Sequence, residues 1–154
     1  MTLLHNIYIS NYKGISMALE RTHLRWMIKR DMSKVLDIEN SSFEFPWAAE
    51  DFTHCLKQPG CIGMVSDSLS PDFKSTVSGF MIYELHKSRL HLLNFAVHPD
   101  YRRLGVGTQM ADRLIGKLSH QGRNKIRVEV REKNVPAQLF FRSNGFRATS
   151  ILRD

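Results

Sequence analysis

The residues with the plainest chemical promise are Arg102, Gly105 and Gly107, at the end of the run Asn94-Phe95-Ala96-Val97-His98-Pro99-Asp100-Tyr101-Arg102-Arg103-Leu104-Gly105-Val106-Gly107. The apolar stretch up to Val97 suits a strand, and Pro99 ends it by lacking a backbone donor and restricting the residue before it. Beyond it, Leu104, Met110, Ala111, Leu114, Ile115 and Leu118 recur at three- and four-residue steps with Asp112, Arg113 and Lys117 between them. That is the pattern of a half-buried helix over residues 105–120. Arg102-x-x-Gly105-x-Gly107 therefore falls on a strand-to-helix turn, where unpaired amides and the positive end of the helix dipole attract phosphate. Glycine matters there because a β-carbon would hold a phosphate oxygen off the main chain. The spacing is not that of a P-loop, which needs Gly-Lys-Ser/Thr, nor of a dinucleotide fingerprint, which needs a third glycine three residues after Gly107. The alternative is that these glycines end a helix or permit close packing.

The elements that must hold this turn follow from periodicity and punctuation. A strand is expected over residues 25–29, then a helix capped by Asp31 or Ser33 that carries Val35, Leu36 and Ile38 as far as Ser42. Phe43-Glu44-Phe45-Pro46-Trp47 breaks it, and a second helix over residues 48–57 stops at Pro59-Gly60. Strands are expected over residues 61–66, 77–85, 89–97, 125–130 and 146–152, and a helix over residues 135–143 with Asn134 as its cap. The strand order implies an α/β fold with a mixed sheet and helices on both faces. Residues 1–20 form an N-terminal extension, either a mobile tail or a strand over residues 3–9, with Met17 an alternative start; residues 21–154 form the domain.

A length of 154 residues implies one domain, and 42% hydrophobic content suffices for its core. No stretch is long enough to span a membrane, and no secretory leader is evident, so the chain is expected to be cytoplasmic. Cys55 and Cys61 have no second pair at metal-binding spacing and are expected to be ordinary reduced thiols, with no metal bound. The net charge of +7 favours an anionic partner. Basic residues are scattered without aromatic interleaving, so direct nucleic-acid binding is not expected.

The run from Asn94 to Gly107 resembles the acetyl-coenzyme A signature of the GNAT acyltransferase superfamily, Arg/Gln-x-x-Gly-x-Gly/Ala after a Val-x-Pro strand end. The segments Val128-Glu129-Val130-Arg131-Glu132-Lys133-Asn134 and Ala137-Gln138-Leu139-Phe140-Phe141 are similar to its later strand and helix, and Phe43-Glu44-Phe45-Pro46-Trp47 resembles the ribosomal-protein-alanine N-acetyltransferase branch. The resemblance implies a mostly antiparallel sheet with a splayed central strand pair and acetyl-coenzyme A as acyl donor. Main-chain groups of Phe95, Ala96 and Val97 would hold the pantetheine arm, and residues Arg102, Arg103, Leu104, Gly105, Val106, Gly107 and Thr108 the pyrophosphate.

The resemblance also assigns roles elsewhere. Asn134 and Phe141 would border the donor, Phe45 and Trp47 the acceptor groove, and Glu129 would be the general base. The alternative for Glu129 is a strand carboxylate paired with Arg127 or Arg131. Phe141 stands where the branch has a tyrosine acid; Tyr83 and Tyr101 are conceivable substitutes. The acceptor implied is a protein N-terminus, a ribosomal protein foremost; the alternatives are a small-molecule amine acetyltransferase and a catalytically weakened acetyl-coenzyme A-binding regulatory protein. The superfamily's final strand is apparently absent. Residues 3–9 could fill that place, from the same molecule or from a second one, giving a monomer or a strand-swapped dimer.

Overall fold

The computed structural model describes residues 2–8, through their main-chain pairing, together with residues 22–69, 72 and 74–152. In chain order the elements are β1 (Thr2–Tyr8), β2 (His23–Trp26), α1 (Met32–Ser42), α2 (Ala49–Leu56), β3 (Cys61–Leu69), β4 (Ser75–Leu85), β5 (Arg89–Val97), α3 (Val106–Ile115), β6 (Lys125–Arg131), α4 (Val135–Ser143) and β7 (Ala148–Leu152). They build one seven-stranded sheet in the order β2-β3-β4-β5-β6-β1-β7. Every neighbouring pair is antiparallel except β5 and β6. The alternative start at Met17 lies outside the described residues.

Strand alternation sends side chains to two faces, and each face carries its own core. Met64, Met81, Tyr83, Leu90, Leu92, Ile126, Val128 and Val130 pack against Val106, Met110 and Leu114 of α3 and Phe141 of α4. Val65, Phe80, Ile82 and Ala96 pack on the other face against Val35 and Ile38 of α1 and Phe52 of α2. Helix α3 comes close because a β-carbon on Gly79 would meet the Met110 sulfur at 2.9 Å, the Ser66 hydroxyl at 2.9 Å and the Ala96 carbonyl at 3.0 Å. The α/β sheet with helices on both faces is thus as expected.

Several boundaries differ from those read in the sequence. The first domain strand ends at Trp26, and Lys29–Asp31 form a 3-10 turn. Asp31 does not cap α1. Its carboxylate accepts the Ile28 amide at 2.8 Å and pairs with the Arg25 guanidinium, which also holds Asp67 at 2.6 Å. Helix α3 stops at Ile115, short of residue 120, because Gly116 is a poor helix former. Lys117 and Leu118 donate to carbonyls three residues back, so the chain leaves in tighter turns.

β5 matters most for function. Ile82 pairs with Asn94 but Tyr83 pairs with Leu92, so Leu93 is an extra residue on β5, a bulge. It inverts the alternation: Leu90 and Leu92 face α3 and α4 before it, whereas Phe95 and Val97 take that face after it. The ladder between β5 and β6 covers only Arg89↔Lys125 to Leu92↔Val128 and stops at the same point. From Leu93 onward the two strands diverge and leave a wedge.

Candidate active site

One arm of the wedge is a cavity of about 580 Å³ between the start of α3 and the start of α4. Phe95, Ala96, Val97, Arg102, Arg103, Gly105, Gly107 and Thr108 line one side and Asn134, Phe140 and Phe141 the other. The turn into α3 carries two left-handed residues, Arg103 at φ 63° and Gly105 at φ 83°. The arginine is the costlier of the two, since its β-carbon crowds the carbonyl there. The first α3 bond runs from the Gln109 amide to the Gly105 carbonyl at 3.1 Å. The amides of Val106, Gly107 and Thr108 precede it and have no acceptor within the helix, which is the anion-binding arrangement of a helix start. The side chains of Leu104 and Val106 do not line this cavity, and Val106 is buried in the core, so Val106 can meet a ligand only through its main chain.

Gly107 bounds the cavity tightly. A β-carbon there would meet the Phe140 ring at 3.0 and 3.1 Å. Gly107→Leu is expected to raise the dissociation constant of acetyl-coenzyme A at least about tenfold. Isothermal titration checks this, and unchanged affinity would refute it.

The second arm is a cavity of about 220 Å³ that shares Phe43, Phe95, Asn134, Ala137 and Phe141 with the first and adds Glu39, Phe45, Trp47, Asn94, Glu129 and Arg131. Glu129 lies on β6 one residue past the last that pairs with β5, with its side chain 39% exposed and its carboxylate 3.3 Å from Arg127. A bridge so long and solvated restrains the carboxylate weakly. Phe45 lies at the mouth under the Arg131 guanidinium, 4.6 Å from ring centroid to cation, while Trp47 turns inward edge-on to Phe52. Phe45, Trp47 and Glu129 are therefore brought to one cavity. Asn134 caps α4, accepting the Ala137 amide at 3.2 Å, at the junction of the two arms.

Two site residues were not singled out in the sequence, Glu39 and Asn94. Glu39 on α1 is 1% exposed and accepts the Trp47 amide at 2.9 Å on one oxygen and the Asn94 side-chain amide at 2.8 Å on the other. Burial pushes its carboxyl up from the ordinary range, against the two donors that hold it down. The Asn94 oxygen accepts the Phe95 amide at 2.8 Å, so a ligand that takes this amide must displace it. Arg102 likewise donates to the Val97 carbonyl at 3.0 Å. The signal was polarity out of place: Glu39 falls on the stripe of Val35, Ile38 and Ser42, and Asn94 interrupts an apolar strand.

The tyrosines separate cleanly. Tyr83 is 1% exposed in the sheet core with its hydroxyl on the Met64 sulfur at 3.7 Å, outside both cavities, which removes it as a proton donor to the site. Tyr101 lines the larger cavity. Phe141 is buried in a ring cluster with Phe95, Phe140 and Phe146. Among the described residues no helix is long and apolar enough to cross a membrane.

Comparisons with known proteins agree with this geometry. The [ribosomal protein bS18]-alanine N-acetyltransferase of Escherichia coli K12 is 28% identical over 124 residues, which is 80% of each chain. The crystal structure of the ribosomal-protein-S18-alanine N-acetyltransferase from Escherichia coli superposes with a TM-score of 0.72 at 25% identity, covering 86% of this chain and 82% of that one. Ard1 from Thermoplasma volcanium has the same fold, with a TM-score of 0.72 at 23% identity and 84% of each chain covered. The model of the acetyltransferase (GNAT) family matches residues 19–146, and with its splayed strands and glycine turn in place the chain belongs to that family as an N-acetyltransferase.

Proposed function

We propose that the protein transfers the acetyl group of acetyl-coenzyme A to the α-amino group of a protein N-terminus, a ribosomal protein foremost. The observation that carries this reading is the meeting of two cavities in one wedge, a long one ending on helix-start amides and a short one holding a carboxylate under an aromatic mouth. The name of the Escherichia coli relative supports the choice of acceptor. The reading suits the cytoplasm, where that acceptor and the donor meet.

Thioester aminolysis needs a neutral amine, a held carbonyl and an exit for the thiolate. Glu129 takes the proton of the incoming ammonium, directly or through water. An α-amino group has a reference pKa of about 7.7–8.0, against about 10.4 for lysine, so a mild base suffices near neutral pH. A main-chain amide of β5 in the wedge polarises the carbonyl oxygen. The amides of Val106, Gly107 and Thr108 hold the pyrophosphate, and Asn134 and Phe141 flank the arm between. Phe141 has no proton to give, and a coenzyme thiolate of reference pKa near 8.5 can leave without full protonation. This favours a slow enzyme, and the extreme of that trend, binding without turnover, is the second reading.

Incubating the protein with acetyl-coenzyme A and a panel of N-terminal peptides, lysine-blocked peptides and small amines decides between them. A mass gain of one acetyl group confined to α-amino peptides is expected. Transfer only to small amines, or binding with no transfer, overturns the proposal.

Glu39 is the positioning residue of this scheme, since it ties the loop bearing Trp47 to Asn94 beside the donor amide. Glu39→Gln keeps the shape but sets an N–H against a donor. The acceptor KM is expected to rise about five- to tenfold, the value of one neutral hydrogen bond, with donor affinity retained. A lower melting temperature with no change in KM would mean a purely structural role.

A further inference from the structure

The end of the sheet remote from the wedge carries a cluster that acetyl transfer does not use. Glu84 on β4 and His91 on β5 are direct cross-strand partners, so their side chains leave the sheet on one face. His86 lies two residues beyond Glu84, just past the end of β4, and turns its Nε2 to 2.8 Å from the Glu84 carboxylate. The rings of His86 and His91 lie 6.2 Å apart and tilted by 40°. One ligand atom from each of the three residues falls within 4.8 Å of the others.

We propose that Glu84, His86 and His91 form a binding site for a divalent transition metal of the zinc class, separate from the acetyl-transfer centre. Ligand atoms bound to one zinc ion at about 2.0–2.1 Å stand roughly 3.3 Å from one another, so small side-chain rotations close this triangle. Two imidazoles and one carboxylate are a borderline donor set that suits zinc over magnesium or calcium. All three residues are half-buried, so the ligands are restrained and a fourth position stays open to water. Arg127 is the β6 partner of His91, but its guanidinium is drawn to Glu129 at 3.3 Å. Its charge opposes the cation and lowers the affinity.

The cysteines test the assignment from the other side. Cys61 is the β3 partner of Glu84, and its sulfur is 3.0 Å from that of Cys55. The two sulfurs contact one another and stand outside the three-residue cluster. The experiment is titration of the untagged full chain with zinc chloride at pH 7.5, repeated on His86→Ala, His91→Ala and Cys55→Ser/Cys61→Ser, with melting curves in chelator to confirm that each variant folds. One zinc per chain is expected, weakened more than about tenfold by either histidine change and unaffected by the cysteine changes. Cobalt in place of zinc should give visible d–d bands without a sulfur charge-transfer band. No binding up to a hundred-micromolar excess, binding that survives both histidine changes, or loss on the cysteine changes overturns the site.

Discussion

Replacing Glu129 with glutamine is expected to lower kcat by about a hundredfold or more, within the range typical of a lost general base, while acetyl-coenzyme A binds as before. The change is nearly isosteric, so its effect reads out charge and basicity. Donor affinity should persist because Glu129 lines only the smaller cavity. The ion pair with Arg127 disappears too, but at 3.3 Å between partly exposed groups it contributes at most about 1 kcal/mol to stability. A rate loss therefore cannot be charged to unfolding. The variant should recover part of its rate as pH rises through the amine pKa, because solvent then supplies deprotonated acceptor that the wild-type carboxylate supplies at lower pH. Steady-state kinetics with saturating peptide across pH measures both effects, and full turnover near neutrality would remove Glu129 from the mechanism.

Deleting residues 1–16 is expected to be the most damaging change to stability. β1 is paired on both sides, from Thr2↔Arg131 to Tyr8↔Lys125 with β6 and from Thr2↔Leu152 to His5↔Ala148 with β7. Its removal strips β6 of one partner and leaves β7 with none. At about 1 kcal/mol net for each lost main-chain bond, a loss on the order of 5 kcal/mol is expected, or a fall of more than about 10 °C in melting temperature. The shortened chain should also associate through its bare β6 edge. Thermal melting and light scattering check this, and a chain of residues 17–154 that melts like the full one would refute the role of β1.

The parts of the site that were legible in the sequence are those written locally. Arg102, Gly105 and Gly107 declare a turn by type and spacing, and strand β5 and helix α4 have the bounds that periodicity gives them. The aromatic run around Pro46 marks a loop, and the geometry takes Phe45 and Trp47 to the smaller cavity. What stayed hidden depends on contacts between distant segments. The bulge at Leu93 arises from register with β4, and leucine itself is an ordinary strand residue that does not announce it. The Glu39–Asn94 pair joins residues 55 positions apart, so each looked only like a misplaced polar group. The cluster of Glu84, His86 and His91 joins a strand, a turn and the facing strand, with Cys61 alongside, and no spacing motif encodes it.

The placement of β1 bears on how the molecule assembles. Its partners lie well over a hundred residues downstream, so the ladder with β6 and β7 closes a loop that spans nearly the whole domain. Loop-closure entropy makes such contacts late and slow to form, whereas the β3-β4-β5 meander can fold from local pairings. During synthesis this segment emerges before β6 and β7 and waits for them. Until β6 and β7 emerge, it is an unpaired strand open to chaperones or to the same segment of a neighbouring nascent chain.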